Sequence, residues 1–371
     1  MTATPSSSPL GRGRRFSVPL LFKEGLGVVI VLLFFIPVGA WAISPELLEV
    51  YYERPDLQQS FQGRTYQGII GTPAGFLVDL EDWAMQYGWQ EDERLVDFAP
   101  AVTPIRAQYG MLPVPDVTAD HFIILDDASG AILAEQGSDR LWPIASLTKL
   151  VTVHTALNHG LDVGGAGSVL EKDDVGGAKL YVEDGTTFTM RDLLYATLVG
   201  SANNAANAVA RETGYETDEF IDSMNELADT LNLRQTVFAD PTGIEVSNIS
   251  TAREVAYFTR MILEDETIRK MTGTSSIHIE ALNDEEYVRD IDNTNWLLYD
   301  PAYDDVYVTA GKTGFLYESG WNLMVQMHPM GEEEERGVFI VLFGADSRQE
   351  SFDDAHELAW WAWNEFDWDR E

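Results

Sequence analysis

Apolar residues follow two rhythms along this chain, and each predicts its own kind of element. Phe122-Ile123-Ile124-Leu125 is an unbroken apolar run. Asp126-Asp127-Ala128-Ser129-Gly130 then supplies turn chemistry, and Ala131–Glu135 returns as a second strand. Further on the rhythm becomes helical. After Pro143, residues 145–159 carry Leu147, Leu150, Val151, Val153 and Leu157, which predicts a helix with Ser146 in its first turn. A second helical stretch runs from Met190 to about Thr213, interrupted near Gly200-Ser201. A third covers 216–231, and a fourth follows Ser250-Thr251 as far as Leu263. Strands return at 306–313, 320–328 and 337–344, the last two joined through the acidic turn Glu332–Glu335. A final helix over 354–366 places Leu358, Trp361, Ala362 and Phe366 on one face.

The order is strands, helices, strands, helix. Short turns between successive strands predict an antiparallel sheet, so the fold class is α+β. The helical middle forms a second lobe, and a cleft between lobe and sheet is the natural place for a site. Residues 117–371 are expected to form the domain that carries the chemistry. Residues 43–116 read as a lead-in of their own. They hold a possible amphipathic helix over 77–87 and a passage marked by Pro100, Pro104, Pro113 and Pro115.

The first 42 residues differ from the rest. Arg12, Arg14, Arg15 and Lys23 precede an apolar run from Leu26 to Ile43, and Ala40-Trp41-Ala42 has the small-x-small form of a cleavage site. This is a secretory signal or an uncleaved N-terminal anchor, and either places the remainder outside the cytoplasmic membrane. The net charge of −37 divides into +3 on residues 1–42 and −40 on the remainder. Such a surface opposes nucleic-acid binding and favours solubility, and it suits high salt, where screening weakens self-repulsion. There are no cysteines, which removes thiolate nucleophiles, thiolate metal sites and disulfides.

The candidate chemistry lies in three short strings. Ser146-Leu147-Thr148-Lys149 offers a hydroxyl and, one helical turn later, an amine to take its proton. That amine must be neutral to act as a base, and burial or a neighbouring cation such as Lys312 lowers its pKa. Ser201-Ala202-Asn203 offers a second hydroxyl and an amide, for proton relay and for holding a substrate amide. Lys312-Thr313-Gly314 reads as a strand whose glycine admits a substrate backbone, with Thr313 and Lys312 ready for a carboxylate. Of six lysines in the chain, two fall in these strings. The middle string is the least selective, because Ser223-Met224-Asn225 has the same form; Ser201 is preferred for its turn of small residues.

Other chemistries fare worse. The six histidines form no HExxH spacing, there is no GxSxG elbow, and no glycine-rich phosphate loop is present. No metal or cofactor is expected. The Trp360-Trp361-x-Trp363 cluster reads as packing.

Taken with their flanks, the strings resemble the low-molecular-weight penicillin-binding proteins, the serine-type D-alanyl-D-alanine carboxypeptidases. Asp240-Pro241-Thr242-Gly243, Ser250-Thr251-Ala252-Arg253-Glu254, Asn293-Thr294-Asn295, Phe315 and Ser319-Gly320 also match, so the resemblance spans about 120–366. It implies a β-lactamase/transpeptidase-like fold: an antiparallel sheet flanked by helices, plus an all-helical lobe. It implies an acyl-enzyme on Ser146, an oxyanion hole from the N–H groups of Ser146 and Phe315, and Arg348 as a carboxylate-binding residue. It also implies peptidoglycan stem peptides as substrates, β-lactams as covalent inhibitors and a place in the cell envelope. Three positions depart from the pattern: Ala202 and Asn204 replace the usual Gly and Asp, and Trp296 stands where Arg is frequent. The expected activity is therefore a D,D-carboxypeptidase. A D,D-endopeptidase shares its mechanism. A β-lactamase needs an added Glu, for which Glu226 and Glu245 lie in the right interval. A catalytically silent wall-binding protein is opposed by the intact Ser146, Lys149 and Lys312.

Overall fold

The computed structural model describes residues 65–66, 69–70, 104–106, 112–331 and 336–368. The chain divides into residues 1–39 and 40–371, and every described residue belongs to the second unit. The apolar N-terminal run, the possible helix over 77–87 and the Glu332–Glu335 turn lie outside the described residues.

Five antiparallel strands form the central sheet. They are β1 (His121–Asp126), β2 (Ile132–Gln136), β3 (Val306–Leu316), β4 (Gly320–Pro329) and β5 (Val338–Ala345), in the spatial order β3-β4-β5-β1-β2. The sheet therefore joins both ends of the domain sequence, through β5 against β1. Both of its faces are covered, which explains why β1 and β5 read as continuous apolar runs. Ile123 and Leu125, with Phe339, Val341 and Phe343, point into the core shared with the helical lobe. Phe122 and Ile124, with Val338, Ile340 and Leu342, point to the opposite face. That alternation is the period-2 geometry of a strand.

The helices are α1 (Thr148–Asn158), α2 (Met190–Leu198), α3 (Asn203–Glu212), α4 (Thr217–Thr230), α5 (Ala252–Ile262), α6 (Glu266–Thr272) and α7 (Arg348–Glu365). Helix α1 is buried along most of its length between lobe and sheet, while α7 packs Phe352, Leu358 and Trp361 on the outer face. Helix α7 begins six residues before its predicted start. The Ser347 side chain accepts from Glu350 N and caps it, a polar signal that apolar periodicity does not register. The β-hairpin of Ala166–Val169 with Thr186–Thr189 went unpredicted. So did the hairpin of Ser276–Glu280 with Val288–Asp292. The second hairpin is mostly exposed and polar, so no apolar rhythm marks it. Ahead of the domain, Ile105–Arg106 pairs with Phe366–Asp367 just beyond α7. No described helix is long and apolar enough to cross a membrane.

Candidate active site

Ser146 does not sit in α1 itself but in a 3-10 turn, Ala145–Leu147, that leads into it. The turn is tied down from several sides. Ile144 N donates to Asn248 O at 2.9 Å, Asn322 Nδ2 donates to Pro143 O at 2.8 Å, and Trp142 Nε1 donates to Ser319 O at 2.9 Å. Ala145 is held at φ 50°, a left-handed conformation that a non-glycine residue adopts only when its surroundings compel it. Two glycines make the room. A Cβ on Gly243 would lie 1.9 Å from Ala145 O, and one on Gly314 would lie 2.9 Å from Ile144 O and 3.2 Å from Ser146 N. The Ser146 turn is thus pressed between the 240–243 loop and strand β3, and neither neighbour tolerates a side chain there.

Lys149 follows on the first turn of α1, fully buried, with Nζ 2.7 Å from Ser146 Oγ and 2.5 Å from the carbonyl of Thr242. Ser146 itself is partly exposed. Burial pushes the Lys149 amine down to about 7, against an opposing pull from Asp240. Lys312 is fully buried as well. Burial, then the charges of Lys149 and Arg348, push it well below the ordinary lysine range. The sequence reading named burial and a neighbouring cation, Lys312, as what lowers Lys149. In the structure burial is the leading cause, and the repulsion between the two amines shows on Lys312. Burial therefore brings a neutral amine beside Ser146 within reach near neutral pH.

The second string lies where α2 and α3 break. Ser201 has φ 57°, a second left-handed non-glycine residue at the site, and its Oγ accepts from Lys312 Nζ at 2.9 Å. Asn203 opens α3. Its Nδ2 donates to Gly176 O at 2.7 Å and its N–H to Ala178 O at 2.7 Å, so it fastens the 174–182 loop. Its neighbour Asn204, where an acid was expected, both donates to Leu180 O (2.8 Å) and accepts from Leu180 N (2.9 Å). An aspartate has no donor for the first of these bonds. The rival Ser223-Met224-Asn225 is absorbed by α4. Ser223 Oγ donates to Glu219 O within the helix, and Asn225 pairs with the backbone of Phe238 on both sides of its amide.

The third string lies on the edge strand β3. Lys312 Nζ also donates to Thr313 O at 2.9 Å, and Thr313 Oγ1 donates to Thr294 Oγ1 at 2.7 Å. Arg348, at the start of α7, donates from Nη2 to Thr294 O at 2.6 Å. Phe315 is exposed at the surface, stacked on Trp321 with ring centroids 4.3 Å apart. The nine sequence-predicted site residues thus lie on four segments, and contacts join Ser146 to Lys149, Ser201 to Lys312, and Thr313 through Thr294 to Arg348, while Asn203 and Phe315 bond outside the set.

Several contributors carried no role in the sequence reading. Asp240 accepts from the backbone of Thr242, Gly243 and Glu245 and from Asn248 Nδ2, and so shapes the loop whose Thr242 carbonyl holds Lys149. The Asp-Pro-x-Gly string is turn chemistry, which signalled the loop but not its partner. Thr294 joins Thr313 to Arg348, and nothing in its spacing announces that. Among the described residues no group of His, Asp and Glu is placed to hold a metal ion.

Comparison with known proteins assigns the chain to a family and its fold. Residues 111–347 match the D-alanyl-D-alanine carboxypeptidase family. A D-alanyl-D-alanine endopeptidase of Haemophilus influenzae is 30% identical over 208 residues, covering 56% of this chain and 69% of that one. D-alanyl-D-alanine carboxypeptidase DacF of Bacillus subtilis is 27% identical, covering 62% and 58% respectively. In fold, the chain superposes on a Streptomyces DD-transpeptidase with a TM-score of 0.62 at 21% identity, over 68% of this chain and all of that one. A D-alanyl-D-alanine carboxypeptidase from Mycobacterium tuberculosis gives 0.61 at 25% identity, over 71% and 96%. The α+β penicillin-binding fold expected from the sequence is thus the fold observed, and the chain belongs to the D-alanyl-D-alanine carboxypeptidase family of serine peptidases.

Proposed function

We propose that the chain is a D,D-carboxypeptidase that removes the terminal D-alanine of peptidoglycan stem peptides through an ester on Ser146. The observation that carries this reading is Lys149 Nζ at 2.7 Å from Ser146 Oγ, fully buried and brought down to about 7. As Ser146 Oγ bonds to the carbonyl carbon of the penultimate residue, its proton passes to Lys149. Negative charge then develops on the carbonyl oxygen, to be met by the backbone N–H groups of Ser146 and Phe315. Gly314 supports this role, because its bare Cα lets β3 approach the Ser146 turn. The C–N bond breaks, and the departing amine takes a proton by way of Ser201 and Lys312, which are in contact at 2.9 Å. Water hydrolyses the ester, and the proton it releases restores the starting state.

The substrate lies along the open edge of β3 in this reading, with its carboxylate toward Thr313, Lys312 and Arg348. The arriving negative charge offsets the repulsion among the three cations and so favours charged Lys312. A β-lactam presents the same carboxylate beside a reactive amide, which makes it a covalent inhibitor. The substrate places the domain at the cell envelope, with the N-terminal segment as export signal or anchor and residues 43–116 as spacer. An endopeptidase acting on cross-links uses the same residues, and the relatives include both names. A β-lactamase is less well supported: Glu226 is exposed on α4, and Glu245 lines a cavity whose lining includes Lys172, Arg211 and Tyr215 but neither Ser146 nor Lys149.

The test is labelling of residues 43–371 with a fluorescent penicillin, compared with Ser146→Ala. A lasting label that the variant lacks is expected. Absence of label at every concentration defeats the assignment, and rapid drug hydrolysis replaces it with a β-lactamase. Release of free D-alanine from a stem pentapeptide, against cleavage of a cross-linked dimer, then separates carboxypeptidase from endopeptidase.

A further inference from the structure

Arg348 is held in an unusual way. Its guanidinium carbon lies 4.5 Å from the ring centroid of Trp296 and 5.9 Å from that of Trp321. Nη2 donates to Thr294 O, while the buried Nε has no hydrogen-bond partner. An unpaired buried N–H on a cation is costly unless something else receives its positive charge, and the negative face of an indole does so. Trp296 is in turn fixed. It opens a 3-10 turn in which Asn295 Oδ1 accepts from Leu297 N, and its ring packs on Phe352 of α7 at 5.5 Å. Trp321 is fixed from its own side by the stack on Phe315. The two indoles come from different parts of the chain, one ahead of β3 and one on β4, and they meet on a residue from a third.

We propose that Trp296 and Trp321 form an aromatic clamp that positions Arg348, so that the carboxylate of substrate or β-lactam meets a guanidinium already in place. This rests on the carboxylate-binding role given to Arg348 in the proposed function. Trp296 is a positioning residue here and touches no reacting atom. The clamp also gives a physical account of Trp296 where arginine is frequent. A second guanidinium beside Arg348 would repel it, whereas an indole attracts it. Preorganisation of this kind acts on binding: a loose Arg348 must be ordered when the carboxylate arrives, and that cost appears in KM.

The experiment is a double-mutant cycle on D-alanine release from a stem pentapeptide, with penicillin labelling of Ser146 in parallel. Trp296→Ala is expected to raise KM by roughly 3- to 20-fold with kcat little changed, and Trp296→Phe, which keeps a ring face, to recover most of the loss. In an Arg348→Ala background Trp296→Ala should add almost nothing, because the residue it positions is gone. Equal and additive losses in both backgrounds overturn the clamp, since a purely structural role would produce them. Thermal unfolding of each variant shows whether it is folded; if Trp296→Ala is not, Trp296→Phe and Trp296→Arg carry the test, the latter expected to be the worse of the two. An unlabelled wild-type protein defeats the proposed function itself. A labelled wild type with Arg348→Ala unchanged in KM defeats the carboxylate role and the clamp with it.

Discussion

Lys312 Nζ lies 2.9 Å from Ser201 Oγ, and 111 positions of sequence separate the two residues. The contact joins the edge strand of the sheet to the break between two helices of the lobe, so it spans the cleft. Each partner is buried, and Lys312 is the hydrogen-bond donor that meets Ser201 Oγ. Ser201→Ala and Lys312→Ala should each slow acylation by a fluorescent penicillin. The double variant should be faster than the product of the single effects allows, with a coupling of about 0.5–3 kcal/mol. Strict additivity of the two penalties would mean that the pair does not act as a unit.

The pH profile of acylation should follow Lys149. Its folded pKa of about 7 lies below the 10.5 of an ordinary lysine, and in the proposed reaction the neutral amine is the form that accepts the Ser146 proton. The acylation rate should climb as pH rises through about 7 and then level off. Lys149→Arg, always protonated, should show no such limb. Stability carries the same sign. Between about 7 and 10.5 the unfolded chain holds a proton that the folded chain has shed, so this group's contribution to stability improves as pH rises through that window. Urea unfolding from pH 7 to 10 should therefore show a shallower pH slope for Lys149→Met than for the parent chain.

Gly314→Ala should damage catalysis more than folding. Its new methyl group meets Ile144 O at 2.9 Å, Ala145 Cβ at 3.2 Å and Ser146 N at 3.2 Å, so β3 and the nucleophile's turn must part. Misplacing one oxyanion donor costs about 10²-fold in rate or more. Stopped-flow acylation measures this, and a rate within threefold of the parent would show that the strand does not need that closeness.

Asn204→Asp restores the acid expected at this position, and in this chain it should destabilise. The amide both donates to and accepts from Leu180, buried, at 2.8 and 2.9 Å. A carboxylate loses the donor and sets its oxygen against Leu180 O, at a cost of about 1–3 kcal/mol. Chemical denaturation at pH 7 gives the difference directly. An unchanged midpoint would mean that the 174–182 loop is held by Asn203 alone.

Much of the fold was legible wherever burial imposes a rhythm. The strands over 121–126 and 338–345 are buried on both faces and read as continuous apolar runs, while the helices over 190–262 face a core and repeat near 3.6. The hairpin of Ser276–Glu280 with Val288–Asp292 was hidden because it is largely exposed, and the start of α7 because a polar cap sets it. In the site, Ser146 and Lys149 were readable because one helical turn brings them together. The match at Ser223-Met224-Asn225 shows the limit of such reading. Pattern alone could not tell it from Ser201-Ala202-Asn203, and only its absorption into the bonds of α4 does.

The sequence by itself determined the chemical groups: a serine with an amine one turn away, scarce lysines at the right places, a glycine in the strand that must come close, and an α+β order of elements. Those are local matters of residue type and spacing. Tertiary structure alone decided what state the groups are in and what they touch. Burial, against the pull of Asp240, brings Lys149 down to about 7, and burial is a property of the whole packed lobe and sheet. The Thr242 carbonyl on Lys149, the Thr294 link and the indoles around Arg348 all arise from segments that meet only when the chain has folded. Contacts between residues far apart in sequence leave no periodic trace in it.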